Sequence, residues 1–145
     1  MAKKAKAEEF VLDGSIALAW YFKDEVDAYA DAVAACFPDA HAIVPAIWPL
    51  EVANAVLMGE RRKRSTEAQA AQWLAYLGSL PITVDDETPA RAWSAVLPLA
   101  RTHALTAYDA AYLELALRRG FSIATIDDRL RAAAAAAGVS LYSPR

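Results

Sequence analysis

The stretch Phe10-Val11-Leu12-Asp13-Gly14-Ser15 predicts where the fold begins. Three apolar residues that stop at Asp-Gly-Ser are typical of a short buried strand followed directly by a helix. Three further apolar runs have the same character, at residues 42–44, 82–84 and 122–126. Helical patterns lie between the runs, and parallel strands need crossover connections of that length. The sequence therefore predicts an α/β fold in which helices cover both faces of a parallel sheet.

Two helices have clear boundary signals in the second half of the chain. Thr88-Pro89 predicts an N-cap followed by proline at the first helical position, for a helix that ends near His103. A second helix is predicted over Thr106–Arg119, with a threonine cap at its start and Gly120 just beyond its end. Both helices are long enough to serve as crossovers between parallel strands.

The length and composition favour one domain. The chain has 145 residues and a mass of 15.7 kDa, which predicts a single domain over residues 10–145. Residues 1–9 alternate Lys, Ala and Glu without an apolar face, so a disordered tail is expected there. A single cysteine excludes an internal disulfide, and no apolar run is long enough for a membrane helix. We therefore expect a soluble, cytoplasmic protein that does not enter a membrane.

The charge and the motif content exclude several classes of protein. The 15 basic and 18 acidic residues give a net charge of −3 and a pI near 5.3, which argues against binding nucleic acid through bulk positive charge. Only two histidines occur, and neither lies in a zinc motif. GxGxxG and GxxxxGK[ST] are absent, so dinucleotide and P-loop sites are excluded. Any metal site in this chain must use oxygen ligands.

Two aspartates stand where predicted strands end. Asp13 follows the first apolar run and Asp127 follows the last. In an open parallel sheet, ligands bind outside the carboxyl ends of the strands. An aspartate at a strand-to-helix junction also commonly caps the helix. Each of these residues is therefore either a helix cap or part of a site at the carboxyl edge of the sheet.

Two further acids interrupt apolar stretches. Glu51 and Asp109 both have apolar neighbours, and on a helix the side chain of Asp109 leaves from a face that includes Tyr112. A buried carboxylate must be salt-bridged, protonated or bound to a metal. No Arg or Lys lies one helical turn from Asp109, whereas Asn54 is well placed to orient the carboxylate of Glu51. An ion pair within the tertiary structure remains the alternative for both acids.

Convergence of the four acids would call for a cation. Carboxylates about 4 Å apart repel by about 4 kcal/mol per pair at an effective dielectric of 20, and a divalent cation removes that cost. A ligand set of oxygen atoms alone selects Mg²⁺ or Mn²⁺. These ions bind phosphate oxygens and lower the pKa of a bound water. The reaction that suits this site is hydrolysis of a phosphodiester bond.

Four motifs carry a family resemblance, and they occur in the order Val11–Ser15, Leu50–Asn54, Leu105–Tyr112 and Ala124–Asp127. Together they resemble PIN-domain ribonucleases, and most closely the VapC-like toxins of type II toxin–antitoxin pairs. The resemblance spans residues 10 to about 144. It implies a PIN-like three-layer fold whose central parallel sheet has about four or five short strands flanked by helices.

The same resemblance implies an activity and partners. PIN-domain toxins are metal-dependent endoribonucleases that hydrolyse single-stranded or looped RNA, so the expected cofactor is Mg²⁺ or Mn²⁺. The expected partners are the RNA substrate, a cognate antitoxin protein and a second copy of the chain in a homodimer. The sequence departs from the usual family pattern at Gly14, where a small side chain is more common.

The resemblance assigns roles to the four acids. Asp13 and Asp109 are expected to bind the metal directly, and Asp127 to complete the metal-binding pocket. Glu51 is expected to bind through water or to hold the attacking water. All four are therefore predicted to be catalytic. Asp128 is an alternative to Asp127, because either could face the pocket.

Polar and basic residues are expected to support these acids. The resemblance implies that Ser15, Asn54 and Thr106 make polar contacts behind them. The run Arg61-Arg62-Lys63-Arg64 is the densest basic stretch and is a candidate for contact with the RNA backbone. Its alternative interpretation is a solvated helix end. For the aromatic run at residues 20–22, core or dimer packing is favoured over base stacking.

Other classes of protein fit less well. A haloacid-dehalogenase-like phosphatase also has an aspartate at a strand end, but it needs a second one two residues on, where this chain has Ser15. A response-regulator receiver needs a late lysine, and no lysine follows Lys63. The remaining alternative is a PIN-fold binding protein that has lost its activity.

Overall fold

Four short strands form one parallel sheet in the computed structural model, which describes residues 8–145. The strands are β1 (Glu9–Leu12), β2 (His41–Val44), β3 (Ile82–Val84) and β4 (Ser122–Ala124). Their order across the sheet is β3-β2-β1-β4, and every neighbouring pair is parallel. The predicted α/β class and parallel sheet are therefore confirmed.

Strand β1 lies inside the sheet, and its apolar sequence follows from that position. Val11 pairs with Ile43 on one side and with Ile123 on the other. Helices cover both faces, so Phe10, Val11 and Leu12 are completely buried. The strand begins at Glu9, one residue earlier than predicted. The expectation of a disordered tail otherwise falls on residues 1–7, which lie outside the described residues.

Eight α-helices connect and flank the strands in the described part of the chain. They are α1 (Gly14–Tyr21), α2 (Ala28–Ala34), α3 (Trp48–Arg61), α4 (Glu67–Ser79), α5 (Thr88–Arg91), α6 (Leu97–His103), α7 (Ala107–Arg119) and α8 (Asp128–Ala137). Over residues 8–145, none of these helices combines the length and the apolar character that crossing a bilayer requires.

The helix predicted from Thr88 to His103 has these bounds in the structure, but it is not α-helical throughout. A π-helical segment, Ala92–Val96, separates α5 from α6. Pro98 follows it and has no N–H to donate, and its ring crowds the carbonyl four residues earlier, so the regular α-helical hydrogen-bond pattern is broken in the turn before Pro98. Thr88 is also not the cap, because the helix already includes it and its hydroxyl accepts a hydrogen bond from the Ala46 N–H at 3.1 Å.

The boundaries of α7 agree with the prediction. The Thr106 hydroxyl accepts a hydrogen bond from the Asp109 N–H at 3.1 Å and so caps the helix. At the other end Gly120 has a φ of 69°, in the left-handed region that favours glycine. Strand β4 is shorter than predicted, because the chain after Ala124 turns, and the Asp127 N–H donates to the Thr125 hydroxyl at 3.0 Å.

The aromatic run of α1 packs within the molecule. Trp20 donates its indole N–H to the Ala30 carbonyl at 2.7 Å, and Tyr21 stacks on Trp73 with ring centroids 4.5 Å apart. Phe22 is buried beneath the guanidinium of Arg64. These contacts agree with the packing interpretation of the run and leave little aromatic surface for stacking bases.

Candidate active site

Asp13 directly follows β1 and is held by two hydroxyl groups. Its side chain is only 6% exposed. The carboxylate oxygen Oδ2 accepts hydrogen bonds from the Ser15 hydroxyl at 2.6 Å and from the Thr125 hydroxyl at 2.8 Å. Asp13 occupies the N-cap position of α1, but its side chain makes no capping hydrogen bond. The capping alternative therefore does not apply to this residue.

The surroundings of Asp13 disfavour its charged form. Burial raises the pKa of the Asp13 carboxyl, and the nearby charge of Asp109 raises it further. The hydrogen bonds from Ser15 and Thr125 act in the opposite direction. A carboxyl with a raised pKa on the ligand-binding edge of a sheet is a typical feature of a functional site.

Glu51 lies in the first turn of α3 and is half-buried. Its Oε1 atom accepts a hydrogen bond from the Tyr112 hydroxyl at 2.6 Å. Burial raises the pKa of the Glu51 carboxyl, and the charges of Asp13 and Asp109 add to that shift. Asn54, the residue expected to orient Glu51, is exposed, and no hydrogen bond joins the two side chains within the described residues. Tyr112 orients Glu51 instead, from a different helix.

Asp109 lies in the first turn of α7, beside the carboxyl edge of the sheet. Burial raises the pKa of its half-buried carboxyl, and the charge of Asp127 is the next largest cause. The Thr106 hydroxyl and the charge of Arg129 lower the pKa of Asp109. Thr106 therefore caps the helix and also favours the ionised form of Asp109.

Asp127 has two roles in the structure. Its Oδ1 atom accepts a hydrogen bond from the Leu130 N–H at 2.9 Å. Asp127 therefore caps α8, which is one of the two interpretations of this residue given by the sequence. Its charge also raises the pKa of Asp109, which places the two carboxylates within electrostatic reach. Asp128 is the first residue of α8 and is exposed. Of the two neighbouring acids, Asp127 is therefore the better candidate for the fourth position.

The structure brings the four predicted acids to one edge of the sheet, where they influence one another. Charges act between Asp13 and Glu51, between Asp109 and each of these two, and between Asp109 and Asp127. Each of these interactions raises a pKa, because like charges disfavour ionisation. A bound cation would remove this repulsion.

The residues fit a hard divalent cation by their donor chemistry. All four candidate ligands are carboxylates, which suit Mg²⁺ or Mn²⁺. Within residues 8–145, no three Asp, Glu, His or Cys side chains lie close enough together to hold one ion by themselves. Mg²⁺ commonly keeps several waters and uses only one or two protein carboxylates. The arrangement therefore suits a partly hydrated ion better than one enclosed by protein ligands.

Two residues of the site were missed by the sequence reasoning. Thr125 is completely buried and links Asp13 to the chain after β4. Tyr112 is also completely buried and contacts Glu51. The signal for Thr125 was its place directly after a strand, at the same edge as Asp13. The signal for Tyr112 was its spacing of three residues from Asp109 on one helix.

The basic run lies at the far end of α3. Arg61 follows Glu51 by ten positions, about 15 Å along the helix axis. Arg64 forms ion pairs with Asp24 at 2.7 Å and with Glu25 at 3.2 Å. The other three basic residues of the run are exposed: Arg61, Arg62 and Lys63.

A second group of charges lies at the end of β3, and it is paired. Asp85 accepts hydrogen bonds from both terminal nitrogens of Arg118, at 3.1 and 2.8 Å. Arg118 also donates to Glu114 at 2.9 Å and to Glu87 at 2.9 Å. The hydrogen bond from Arg118 lowers the pKa of Asp85. Each of these acids forms an ion pair with arginine, so the group does not call for a metal.

The fold and the candidate site together define a class of protein. This is a three-layer α/β protein whose candidate site lies outside the carboxyl ends of parallel strands and consists of carboxylates. The PIN domain family model matches residues 10–136, and the chain belongs to that family. PIN domains are generally nucleases that use divalent metals.

Two solved structures are similar to this chain. The crystal structure of PAE2754 from Pyrobaculum aerophilum is 24% identical, with a TM-score of 0.64 over 90% of this chain and 87% of that chain. The crystal structure of FitAcB from Neisseria gonorrhoeae is 17% identical, with a TM-score of 0.62 over 93% of this chain and 97% of that chain. At these identities the similarity shows the fold. No curated protein sequence gave a match.

Proposed function

We propose that this protein is a Mg²⁺- or Mn²⁺-dependent endoribonuclease and acts as the toxin of a toxin–antitoxin pair. The observation that carries the proposal is the group of four carboxylates, from four different elements, at the carboxyl edge of the sheet, where burial and neighbouring carboxylates raise the pKa of Asp13, Glu51 and Asp109. Such a group costs stability in the free protein, and it is best explained by binding of a cation.

The proposed roles follow from the surroundings of each acid. Asp13 and Asp109 would hold the cation directly, and Asp127 would complete the site through water, with the oxygen that does not cap α8. When bound, a divalent cation neutralises charge on phosphate oxygens and lowers the pKa of water. Ser15 and Thr125 hold the Asp13 carboxylate in one orientation.

Glu51 is the residue best suited to receive a proton. Burial and the neighbouring carboxylates raise the pKa of Glu51, which makes it a stronger base than a solvated glutamate. We assign to it the orientation of the attacking water and the acceptance of its proton. Attack by water in line with the leaving oxygen would give a 5′-phosphate and a 3′-hydroxyl.

The test uses purified protein freed of any partner, with single-stranded RNA as the substrate. We expect cleavage with Mg²⁺ or Mn²⁺ and none with EDTA. Asp109→Asn and Asp127→Asn should each reduce cleavage at least 100-fold, whereas Asp128→Asn is the matched control and should retain activity. Cleavage that survives chelation, or a 2′,3′-cyclic phosphate at the new ends, would contradict the mechanism. RNA binding without cleavage would favour the inactive binding protein.

An antitoxin partner is part of the proposal. The acidic site attracts cations, and a guanidinium group binds carboxylates through two hydrogen bonds. We expect an inhibitory partner to place an Arg or Lys side chain among these acids, where it competes with the metal. Rising Mg²⁺ at a fixed partner concentration should then restore cleavage. Inhibition that is insensitive both to Mg²⁺ and to Gln substitutions in the partner would contradict this mode.

A homodimer is also proposed, in the cytoplasm where the RNA substrate would be encountered. Leu50 is 68% exposed and Leu57 42% exposed, and their spacing of seven residues puts them on one face of α3. Leu74 on α4 is exposed as well. Association of two copies would cover such a face. Light scattering at micromolar concentration that shows only a 15.7 kDa species would contradict the dimer.

A further inference from the structure

Tyr112 and Glu51 form a contact that links two helices at the centre of the candidate site. Tyr112 lies on α7 and is completely buried, although its hydroxyl is polar. That hydroxyl donates to the Oε1 atom of Glu51 on α3 over 2.6 Å. Because a buried hydroxyl needs a partner, the pair fixes the side chain of each residue.

The same hydroxyl lies against the turn that carries Asp13. A Cβ atom placed on Gly14 would be 3.6 Å from the Tyr112 oxygen. Glycine at this position therefore leaves the hydroxyl with no side chain between it and the turn. Tyr112 thus contacts α3 and the start of α1 while it belongs to α7, which also carries Asp109.

We propose that Tyr112 is a positioning residue, whose hydroxyl holds the carboxylate of Glu51 in the orientation that the reaction needs. This inference rests on the proposed nuclease function. A carboxylate has two oxygen atoms, and a hydrogen bond to Oε1 settles which way Oε2 points. The side chain of Tyr112 is completely buried in the core. The fold, and not the solvent, therefore determines the orientation of the Glu51 carboxylate.

The first experiment removes only the hydroxyl. Tyr112→Phe keeps the ring, and Tyr108→Phe is the matched control, because Tyr108 lies one turn earlier on the same helix and is 61% exposed. Residues that orient a metal-site carboxylate typically contribute 10–100-fold to activity or affinity. We expect Tyr112→Phe to lower kcat by at least about tenfold with little change in KM for RNA, and Tyr108→Phe to leave both unchanged.

The second experiment asks whether Tyr112 acts through Glu51. Mn²⁺ affinity is measured by calorimetry, without RNA, for Tyr112→Phe, for Glu51→Ala and for the double variant. We expect each single variant to bind Mn²⁺ more weakly, and the double variant to bind it no more weakly than Glu51→Ala alone. Additive losses would mean that Tyr112 acts independently of Glu51 and would overturn the inference.

The outcomes separate this inference from the proposed function. Wild-type protein that neither binds Mn²⁺ nor cleaves RNA would overturn both. Active wild-type protein with an equally active Tyr112→Phe variant would overturn only the role of Tyr112. If Tyr112→Phe does not fold, 3-fluorotyrosine at position 112 keeps the ring and makes its hydroxyl more acidic. We expect 3-fluorotyrosine to change kcat when it replaces Tyr112 and to leave kcat unchanged when it replaces Tyr108. Equal effects of the two replacements would overturn the inference.

Discussion

The Thr125 hydroxyl donates a 2.8 Å hydrogen bond to Asp13, although 112 positions separate the two residues in the sequence. The same hydroxyl accepts a 3.0 Å hydrogen bond from the Asp127 N–H. One completely buried side chain therefore fixes two of the four candidate acids, because the strands β1 and β4 that precede them are neighbours in the sheet.

The first prediction concerns this threonine. Thr125→Val keeps the shape of the side chain, but it leaves Asp13 with one hydroxyl donor and removes the acceptor for the Asp127 N–H. We expect a loss of about 1–3 kcal/mol in the free energy of unfolding, measured with urea. Cleavage should fall about 10–100-fold because only the Ser15 hydroxyl then holds the Asp13 carboxylate. Thr102→Val, at an exposed threonine on α6, should change neither quantity, and equal losses in the two variants would contradict the role of Thr125.

The second prediction concerns stability without metal. Burial and the charge of Asp127 raise the pKa of Asp109, so ionising Asp109 costs more in the folded protein than in the unfolded chain. This cost is absent at acidic pH and develops as pH rises above the unfolded pKa of about 3.9. In EDTA at pH 7, Asp109→Asn should therefore raise Tm by about 2 °C.

The difference in Tm between Asp109→Asn and the wild type should shrink as the pH approaches about 4, because the wild-type carboxyl becomes protonated there. In excess Mg²⁺ the wild type should have the higher Tm of the two proteins. Only the wild type retains all four acids of the proposed site, and binding of the ion stabilises the folded state. The control is Asp128→Asn, at an exposed acid. A lower Tm for Asp109→Asn in EDTA would instead indicate that this carboxylate stabilises the fold through an ion pair.

The third prediction concerns the ion pairs of Arg118. Its side chain is 12% exposed and lies 2.8 Å from Asp85, whose side chain is 4% exposed. Arg118→Met leaves the buried Asp85 without its cation, and we expect a loss of about 3–5 kcal/mol in the free energy of unfolding. Arg119→Met removes an exposed neighbouring arginine and should cost less than about 0.5 kcal/mol. Similar losses in both variants would contradict the importance of the buried pair.

The ion pair between Arg118 and Asp85 also makes the stability of the fold depend on pH. Arg118 lowers the pKa of Asp85, so its contribution to stability is complete above the unfolded pKa of about 3.9 and disappears as pH falls through the lower folded pKa. Asp85→Asn should therefore lose stability at pH 7, and the difference from wild type should narrow below about pH 4. A difference that is constant between pH 7 and pH 3 would contradict this assignment.

The fourth prediction separates the residues of the basic run. Arg61, Arg62, Lys63 and Arg64 are all exposed, but Arg64 is also paired with Asp24 and lies over Phe22. Changing Arg61, Arg62 and Lys63 to Gln should weaken RNA binding. The slope of the logarithm of the RNA-binding constant against the logarithm of the salt concentration should become shallower by about 0.7 for each lost phosphate contact. Arg64→Gln should mainly lower Tm. Unchanged RNA affinity in the triple variant would contradict a role in RNA contact and would support the interpretation of the run as a solvated helix end.

The sequence was sufficient to predict the sheet and to select four candidate acids at its carboxyl edge, because both depend on local patterns. Asp13 and Asp127 were found as residues that end apolar runs, and Glu51 and Asp109 as charges within apolar stretches. The same rule also selects Asp85, which ends the run at residues 82–84. The structure pairs Asp85 with Arg118, so position at a strand end is not sufficient to identify a site residue.

What the sequence did not reveal depends on contacts between distant elements. The partner of Glu51 was expected on its own helix, at Asn54, but it is Tyr112 on another helix. The π-helical segment before Pro98 depends on a backbone adjustment that hydrophobic periodicity does not record. Glu114 and Arg118 are spaced for an ion pair on one helix, but their partner Asp85 lies at the end of β3. These features require the folded chain.

The order of the strands has a consequence for synthesis on the ribosome. Strand β1 emerges first, but one of its two neighbours is β4, which is translated only after Ser122 is reached. A nascent chain that ends at Arg119 already contains Asp13, Glu51 and Asp109, yet it lacks Thr125 and the strand that orders Asp13. No such intermediate has the complete candidate site, so under the proposed function the growing chain would not yet cleave the messenger from which it is being read.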